Sequence, residues 1–191
     1  EQVMRLREEL IKRDKLQDAV LLMVLFDSAA RRNEAFQILK TGILDGNRSN
    51  EVVGKRGKKY KPVYLNDTKE LIAKYLEQRG EDDIESLWIT GKGENRRPVA
   101  YNSLYERVVN MSKVLSEIEG KLIEFFPHSL RHSRIECLLQ GHDVRILDKD
   151  GKPKKFTLEE VQLFVNHSDP KTTQSYAKDH TNEIVDNMFG F

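Results

Sequence analysis

The sequence predicts an α+β fold, mainly α-helical, with a small three-stranded antiparallel sheet on one side. Apolar residues recur at helical spacing over most of the 191-residue chain, whereas residues 36–65 break into short Ile/Leu/Val runs divided by turn signals. A hydrophobic fraction of 38% beside a charged fraction of 33% suits a globular chain with a strongly hydrated surface. This length is enough for one well-buried domain, and residues 1–191 are read as one.

Each element follows from local pattern. Residues 1–40 carry Leu6, Leu10 and Ile11, then Val20, Leu21, Val24 and Leu25, which predicts two helices. Residues 36–65, cut by Asp45-Gly46-Asn47 and by Gly54 and Gly57, predict the three-stranded meander. Asn66 or Asp67 is the expected cap of a helix over 68–79, whose apolar stripe is Leu71, Ile72, Tyr75 and Leu76. After an acidic loop with Glu81, Asp82, Asp83 and Glu85, the run Leu87-Trp88-Ile89-Thr90 predicts a buried strand or extended segment. Leu104, Val108, Met111 and Leu115 predict a helix over 101–118. Pro127 opens another, with Leu130, Ile135, Leu138 and Leu139 inward and Gly141 closing it. Asp148-Lys149-Asp150-Gly151 reads as a tight turn and lacks the ligand spacing of an EF-hand loop. Residues 158–165 predict a further helix, and Ser168 or Asp169 before Pro170 caps a last one running through Tyr176. The apolar end, with Ile184, Val185, Met188, Phe189 and Phe191, is expected to dock on something.

Several function classes are excluded early. No apolar run approaches the roughly 20 residues that span a bilayer, and Glu1-Gln2-Val3-Met4-Arg5 lacks the features of a signal peptide, so a cytoplasmic location is expected. The single Cys137 has no disulfide partner and is read as a core thiol. Zinc on His128, His132 and Cys137 is rejected, because four convergent ligands are wanted and the spacing is poor. The chain starts directly in a charged helical pattern, which leads us to expect a fragment of something longer. A net charge of +1 offers no global argument for nucleic acid, so any such reading rests on local clusters. Lys55, Arg56, Lys58, Lys59 and Lys61 form one, and Lys152, Lys154 and Lys155 a second. Taken alone, a charge run is usually a solvated face.

Chemistry-bearing residues are scattered along the chain. His128 and Arg131 are three apart on a predicted helix and so project from one face toward a common phosphate. Arg31 is expected at the end of the second helix, beside the small residues Ala29 and Ala30, with Glu34 three residues on to orient its guanidinium. His167 precedes a capped helix, with Tyr176 nine residues later, so an imidazole and a phenol are able to flank one pocket. Singly, each has an ordinary explanation: a satisfied helix-start histidine, a surface ion pair, a packed ring.

In order, Ala29-Ala30-Arg31-Arg32-Asn33-Glu34, the basic turn Gly54-Lys55-Arg56-Gly57, His128-Ser129-Leu130-Arg131-His132, and the run from Asn166-His167 to Tyr176 resemble the catalytic boxes of the tyrosine recombinases, the phage- and transposon-type integrases. The resemblance covers nearly the whole chain. It implies a helical catalytic domain whose Arg31, Lys55, His128, Arg131 and His167 surround a scissile phosphate while Tyr176 attacks it. Arg56, Lys58, Lys59 and Lys61 would then contact the DNA backbone, Lys58 and Lys59 competing with Lys55 for the role of general acid. It further implies double-stranded DNA as partner, a homotetramer on DNA with the tail 184–191 packed into a neighbour or on its own protomer, no cofactor and no metal. Core-binding or arm-binding domains would lie upstream. Two departures from the family's boxes, Ala29-Ala30 for a glycine-containing pair and Asn166 for the glycine before the histidine, are tolerable; the link 142–155 is longer than usual.

The implied chemistry is physically consistent. A phenol of pKa near 10 is only about one part in a thousand ionised at neutral pH, so attack needs a base, for which His128 is the candidate, or strong positive surroundings. Two arginines and His167 would donate hydrogen bonds to the non-bridging oxygens as these gain charge. A type IB topoisomerase, independent of a partner site, and a DNA-binding regulator that never cuts remain as alternatives. A metal nuclease is disfavoured for want of a carboxylate cluster.

Overall fold

The computed structural model describes residues 1–165, which fall into two compact units, Glu1–Arg131 and a second that begins at His132. In chain order the elements are α1 (Gln2–Lys12), α2 (Leu16–Ser28), α3 (Arg32–Phe36), β1 (Val52–Val53), β2 (Lys59–Tyr60), α4 (Asn66–Arg79), β3 (Ile89–Thr90), β4 (Arg97–Pro98), α5 (Tyr101–Glu119), α6 (Pro127–Gln140) and α7 (Leu158–Phe164). No helix among the described residues is long and apolar enough to cross a membrane.

Helix α2 is the centre of the first unit. Every residue from Ala19 to Ser28 is buried, because α1, α4 and α5 all pack on it, and a helix apolar on all sides must be surrounded. Its two polar residues near the C-terminus have structural partners. Ser28 Oγ donates to the Val24 carbonyl at 2.5 Å and accepts from the Ala30 amide at 3.1 Å. Asp27 accepts from the Leu65 amide at 3.0 Å and from the Thr68 hydroxyl at 2.6 Å, so it caps α4 from across the core. This corrects the expected cap. Leu65, not Asn66 or Asp67, is the residue preceding α4; Asp67 pairs with Arg7 at 2.6 Å and Asn66 accepts from Asn47 at 2.8 Å.

The expected two helices over 1–40 are three. Helix α2 ends where Ala29 turns left-handed at φ 50°, and Arg31 then stands as the N-cap of the short α3 rather than at the end of the second helix. The expected three-stranded sheet is also corrected. There are two two-stranded antiparallel hairpins, β1 with β2 and β3 with β4. Residues before β1 pair elsewhere: Leu39 bridges Ser86, the Lys40 amide donates to the Glu85 carbonyl at 2.8 Å and the Leu87 amide to the Ile38 carbonyl at 3.0 Å, while the Leu39 amide donates to the Asn50 side chain at 2.8 Å and a turn at Gly42, φ 72°, follows. The Leu87-Trp88-Ile89-Thr90 run joins a hairpin of its own. Its reversal requires Gly91, where a Cβ would lie 2.2 Å from the Asn95 carbonyl oxygen. Trp88 is wholly buried, with Nε1 donating to the Ala35 carbonyl at 2.6 Å.

The second unit contains the expected tight turn, in which the Gly151 amide donates to the Asp148 carbonyl at 3.1 Å and Leu147 bridges Pro153. Helix α7 starts with a capping box: the Glu160 amide donates to Thr157 Oγ1 at 3.2 Å and the Thr157 amide to Glu160 Oε2 at 2.8 Å. The link 142–155 is organised by Asp143, which is buried and accepts from Arg134 and, at 2.9 and 2.8 Å, from Arg145. Burial works against the Asp143 carboxylate, yet the Arg145 and Arg134 hydrogen bonds hold its pKa at about 2, below the ordinary 3.8. A depressed carboxylate contributes stability above its unfolded pKa and loses it as pH falls toward the folded one, here between about 4 and 2. Asp143→Ala is expected to destabilise the chain by about 3–5 kcal/mol, because it breaks the buried ion pair with Arg134 and removes the Arg145 contacts as well. Urea melts at pH 7 test this, and a loss under about 1 kcal/mol, the worth of an exposed pair, would show that Arg134 does not need it.

Candidate active site

Arg131 reaches the loop between α2 and α3 that carries Arg31. Helix α6 begins at Pro127, whose missing amide and preset φ suit a first turn, and this sets His128 and Arg131 on one face. The Arg131 side chain is buried, and its Nη1 donates to the Ala29 carbonyl two residues before Arg31. The left-handed turn at Ala29 aims that carbonyl out of the α2 hydrogen-bond ladder, which makes it available as an acceptor. The two arginines separated by one hundred positions therefore share one locus.

Arg31 is oriented by Glu34. The buried carboxylate accepts from the Arg31 amide at 2.6 Å and from Arg31 Nη1 at 3.0 Å, so it fixes both the start of α3 and the guanidinium. The adjacent Arg32 turns the other way. Its guanidinium lies 4.0 Å from the Tyr101 ring centroid and 5.4 Å from that of Tyr105, on α5. Of the Arg31-Arg32 pair, it is Arg31 that joins Arg131.

His128 lies partly exposed in the same electrostatic neighbourhood. Burial, and then the positive charges of Arg131 and Arg31, hold its imidazole below the ordinary 6.5, so the ring is neutral and able to accept a proton at pH 7. An NMR titration of the free chain, with His128→Gln to assign the resonance, is expected to give a midpoint under 6.5. A phosphate-bearing duplex bound between the arginines should raise that midpoint; a midpoint above 6.5 without DNA would mean that the arginines are not its neighbours.

Lys55 and Arg56 sit on the 3-10 turn Lys55–Gly57 of the β1–β2 hairpin, exposed, with Lys58, Lys59 and Lys61 also exposed. Arg56 takes a left-handed φ of 62°. Lys59 pairs with Glu51 at 3.3 Å. The hairpin is held to α3 at two places that its sequence did not single out. Gln37 exchanges hydrogen bonds with the Val53 backbone at 2.9 and 3.0 Å, and the Tyr60 hydroxyl donates to Glu34 Oε2 at 2.6 Å. Burial, reinforced by the Glu34 charge, pushes the Tyr60 phenol far above its ordinary range, so it remains a donor. No local pattern marks a strand tyrosine as the partner of an acid 26 residues earlier.

His167, Tyr176 and the tail 184–191 lie outside the described residues. Among the described residues no group of three His, Cys, Asp or Glu side chains is placed to hold a metal ion. Cys137 is half-buried, and burial pushes its thiol up.

No family model matches the sequence, and no curated protein matches it. Solved structures do. XerA recombinase superposes with a TM-score of 0.69 at 16% identity, over 95% of this chain and 61% of that one. XerH site-specific recombinase bound to palindromic difH substrate, in a post-cleavage complex, gives 0.66 at 18% identity, over 98% of this chain and 50% of that one. The XerH pre-cleavage complex with difH substrate gives 0.64 at 20%, over 96% and 52%. The chain thus spans between 50% and 61% of the length of these recombinases and carries their fold, in agreement with the resemblance to tyrosine recombinases drawn from its motifs.

Proposed function

We propose that this chain is the catalytic part of a tyrosine-type site-specific DNA recombinase, acting in the cytoplasm without a metal on double-stranded DNA. One observation carries the reading: on a recombinase fold, Arg131 donates to the carbonyl of Ala29, two residues before Arg31, and the charges of both arginines act on His128. Two guanidiniums each present paired donors that match phosphate oxygens, and such preorganised charge is what a pentacoordinate phosphorus needs. In the proposed reaction the Tyr176 hydroxyl attacks phosphorus, its proton passing to His128. The bond to the 5′ oxygen breaks, and Lys55 gives that oxygen its proton. His167 adds a donor to the non-bridging oxygens, and Arg56, Lys58, Lys59 and Lys61 contact the backbone. The product is a 3′-phosphotyrosyl link that a partner strand's 5′ hydroxyl resolves, with four protomers acting on two sites and the tail 184–191 joining them.

The test uses a pool of nicked duplexes randomised around the nick, incubated with the chain in chelator and then denatured. A surviving protein–DNA adduct is expected, and sequencing of the attached strand reports the preferred site. Stable binding with no adduct would replace the enzyme by a DNA-binding regulator. Relaxation of supercoils without a second site would instead make it a topoisomerase.

A further inference from the structure

We propose that Tyr60 is a positioning residue for Lys55, holding the β1–β2 hairpin at a set distance from Arg31 through the shared Glu34 carboxylate. The inference rests on the recombinase reading above and extends it to a side chain which that reading leaves without a role.

A general acid must stand within hydrogen-bond reach of the departing oxygen, but Lys55 sits on an exposed turn between strands of two residues each. A hairpin that short does not hold its own shape in water, so its position is decided by what it docks on. It docks on α3, the helix that carries Arg31 at its N-cap. Glu34, whose side chain is 1% exposed, binds Arg31 through one amide and one guanidinium hydrogen bond while accepting the Tyr60 phenol at 2.6 Å. One carboxylate thus ties the arginine to the hairpin. The same oxygen pair also limits the space at the hairpin's entry. A Cβ on Gly54 would lie 2.7 Å from Glu34 Oε1 and 3.5 Å from the Tyr60 ring, so glycine is needed there for close approach rather than for its backbone angle. Gly54 immediately precedes Lys55, so the close approach at Gly54 bears directly on that lysine, whereas Lys59, beside Tyr60, is engaged with Glu51. Gln37, one turn beyond Glu34 on the same side of the chain, fixes β1 through Val53.

The consequence is specific to one bond. In the cleavage step the Tyr176 oxygen–phosphorus bond forms as the phosphorus–O5′ bond breaks, and the proton that Lys55 delivers neutralises the departing 5′ oxygen. If sulfur replaces that bridging oxygen, the 5′ thiolate leaves without a proton, and the position of Lys55 ceases to matter. A loss of Arg31, by contrast, is felt with either leaving group.

The experiment compares wild type, Tyr60→Phe, Gly54→Ala, Lys55→Ala and Arg31→Ala on the nicked duplex recovered by wild-type adduct formation, made with a 5′-bridging oxygen or a 5′-bridging sulfur. Tyr60→Phe and Gly54→Ala are expected to cleave the oxygen ester about 10- to 100-fold more slowly, the cost of a misplaced catalytic group. On the sulfur ester both should return close to wild type, as Lys55→Ala does and Arg31→Ala does not. Hydrogen exchange at the Gly54 amide, which bonds the Lys58 carbonyl at 2.8 Å, should quicken in Tyr60→Phe while the core amides of α2 keep their protection. An equal loss on both esters, no loss at all, or unchanged exchange at Gly54 would overturn the proposal while leaving the recombinase standing. Absence of any adduct from wild type would sink the recombinase reading itself, and this proposal with it.

Discussion

Tyr176→Phe is expected to abolish the covalent DNA adduct, with a fall of at least about 10⁴-fold, the scale seen when a nucleophile is deleted from an otherwise intact site. The substitution removes one oxygen and keeps the ring, so packing and DNA affinity should hardly change. No other hydroxyl should take over easily, because an alcohol or phenol is almost wholly protonated at neutral pH and, in the proposed reaction, has to stand beside His128 and the two arginines to attack. Gel analysis of denatured reactions gives the answer directly. An adduct of wild-type yield in Tyr176→Phe would assign the nucleophile to another residue, and retention of DNA binding in the same variant separates lost chemistry from lost folding.

The second large effect belongs to Arg131. Its guanidinium has two duties, clasping the Ala29 carbonyl and, in the proposed reaction, donating to a non-bridging phosphate oxygen. Arg131→Ala should therefore cut cleavage by about 10²–10³-fold and cost roughly 1.5–3 kcal/mol of stability through the lost charge-assisted hydrogen bond. Arg131→Lys keeps the charge but not the planar fork, so most of the rate loss should remain. Arg31→Ala makes a useful comparison. Arg31 is 33% exposed in its side chain but pairs with the 1% exposed Glu34 carboxylate, so its removal should give a similar rate loss and also lower the urea midpoint by leaving that carboxylate without its cation. Equal rates in Arg131→Lys and wild type would reduce the arginine to a point charge and remove the argument for paired donation.

The periodic elements were legible because their information is local. Helices α1, α5, α6 and α7 fall where apolar spacing puts them, Pro127 opens α6, and Gly141 follows its end with φ 68°. Where a long-range partner replaced a local one, the pattern misled. Asn66 and Asp67 are sound capping residues, but a buried acid on α2 reached the start of α4 first. The segment before β1 has strand-like composition, but its backbone pairs with residues 85–87, nearly fifty positions on, and the Asn50 side chain takes the one amide that faces the other way, which leaves two hairpins in place of one sheet. Arg31 moved from a helix end to an N-cap because Ala29 turned left-handed, a conformation that alanine does not advertise.

For the proposed site, spacing on helices singled out Arg31, Glu34, His128 and Arg131, and the resemblance to tyrosine recombinases added Lys55. That Arg131 reaches the backbone next to Arg31, that Arg32 is drawn off onto tyrosine rings, and that Tyr60 shares the acid of Arg31 were decided by folding alone. The physical reason is range: periodicity, caps and turns act over a few residues, whereas these contacts join positions 26 to 102 residues apart or set neighbouring side chains against different helices, and only the packed core brings them within a hydrogen bond's length.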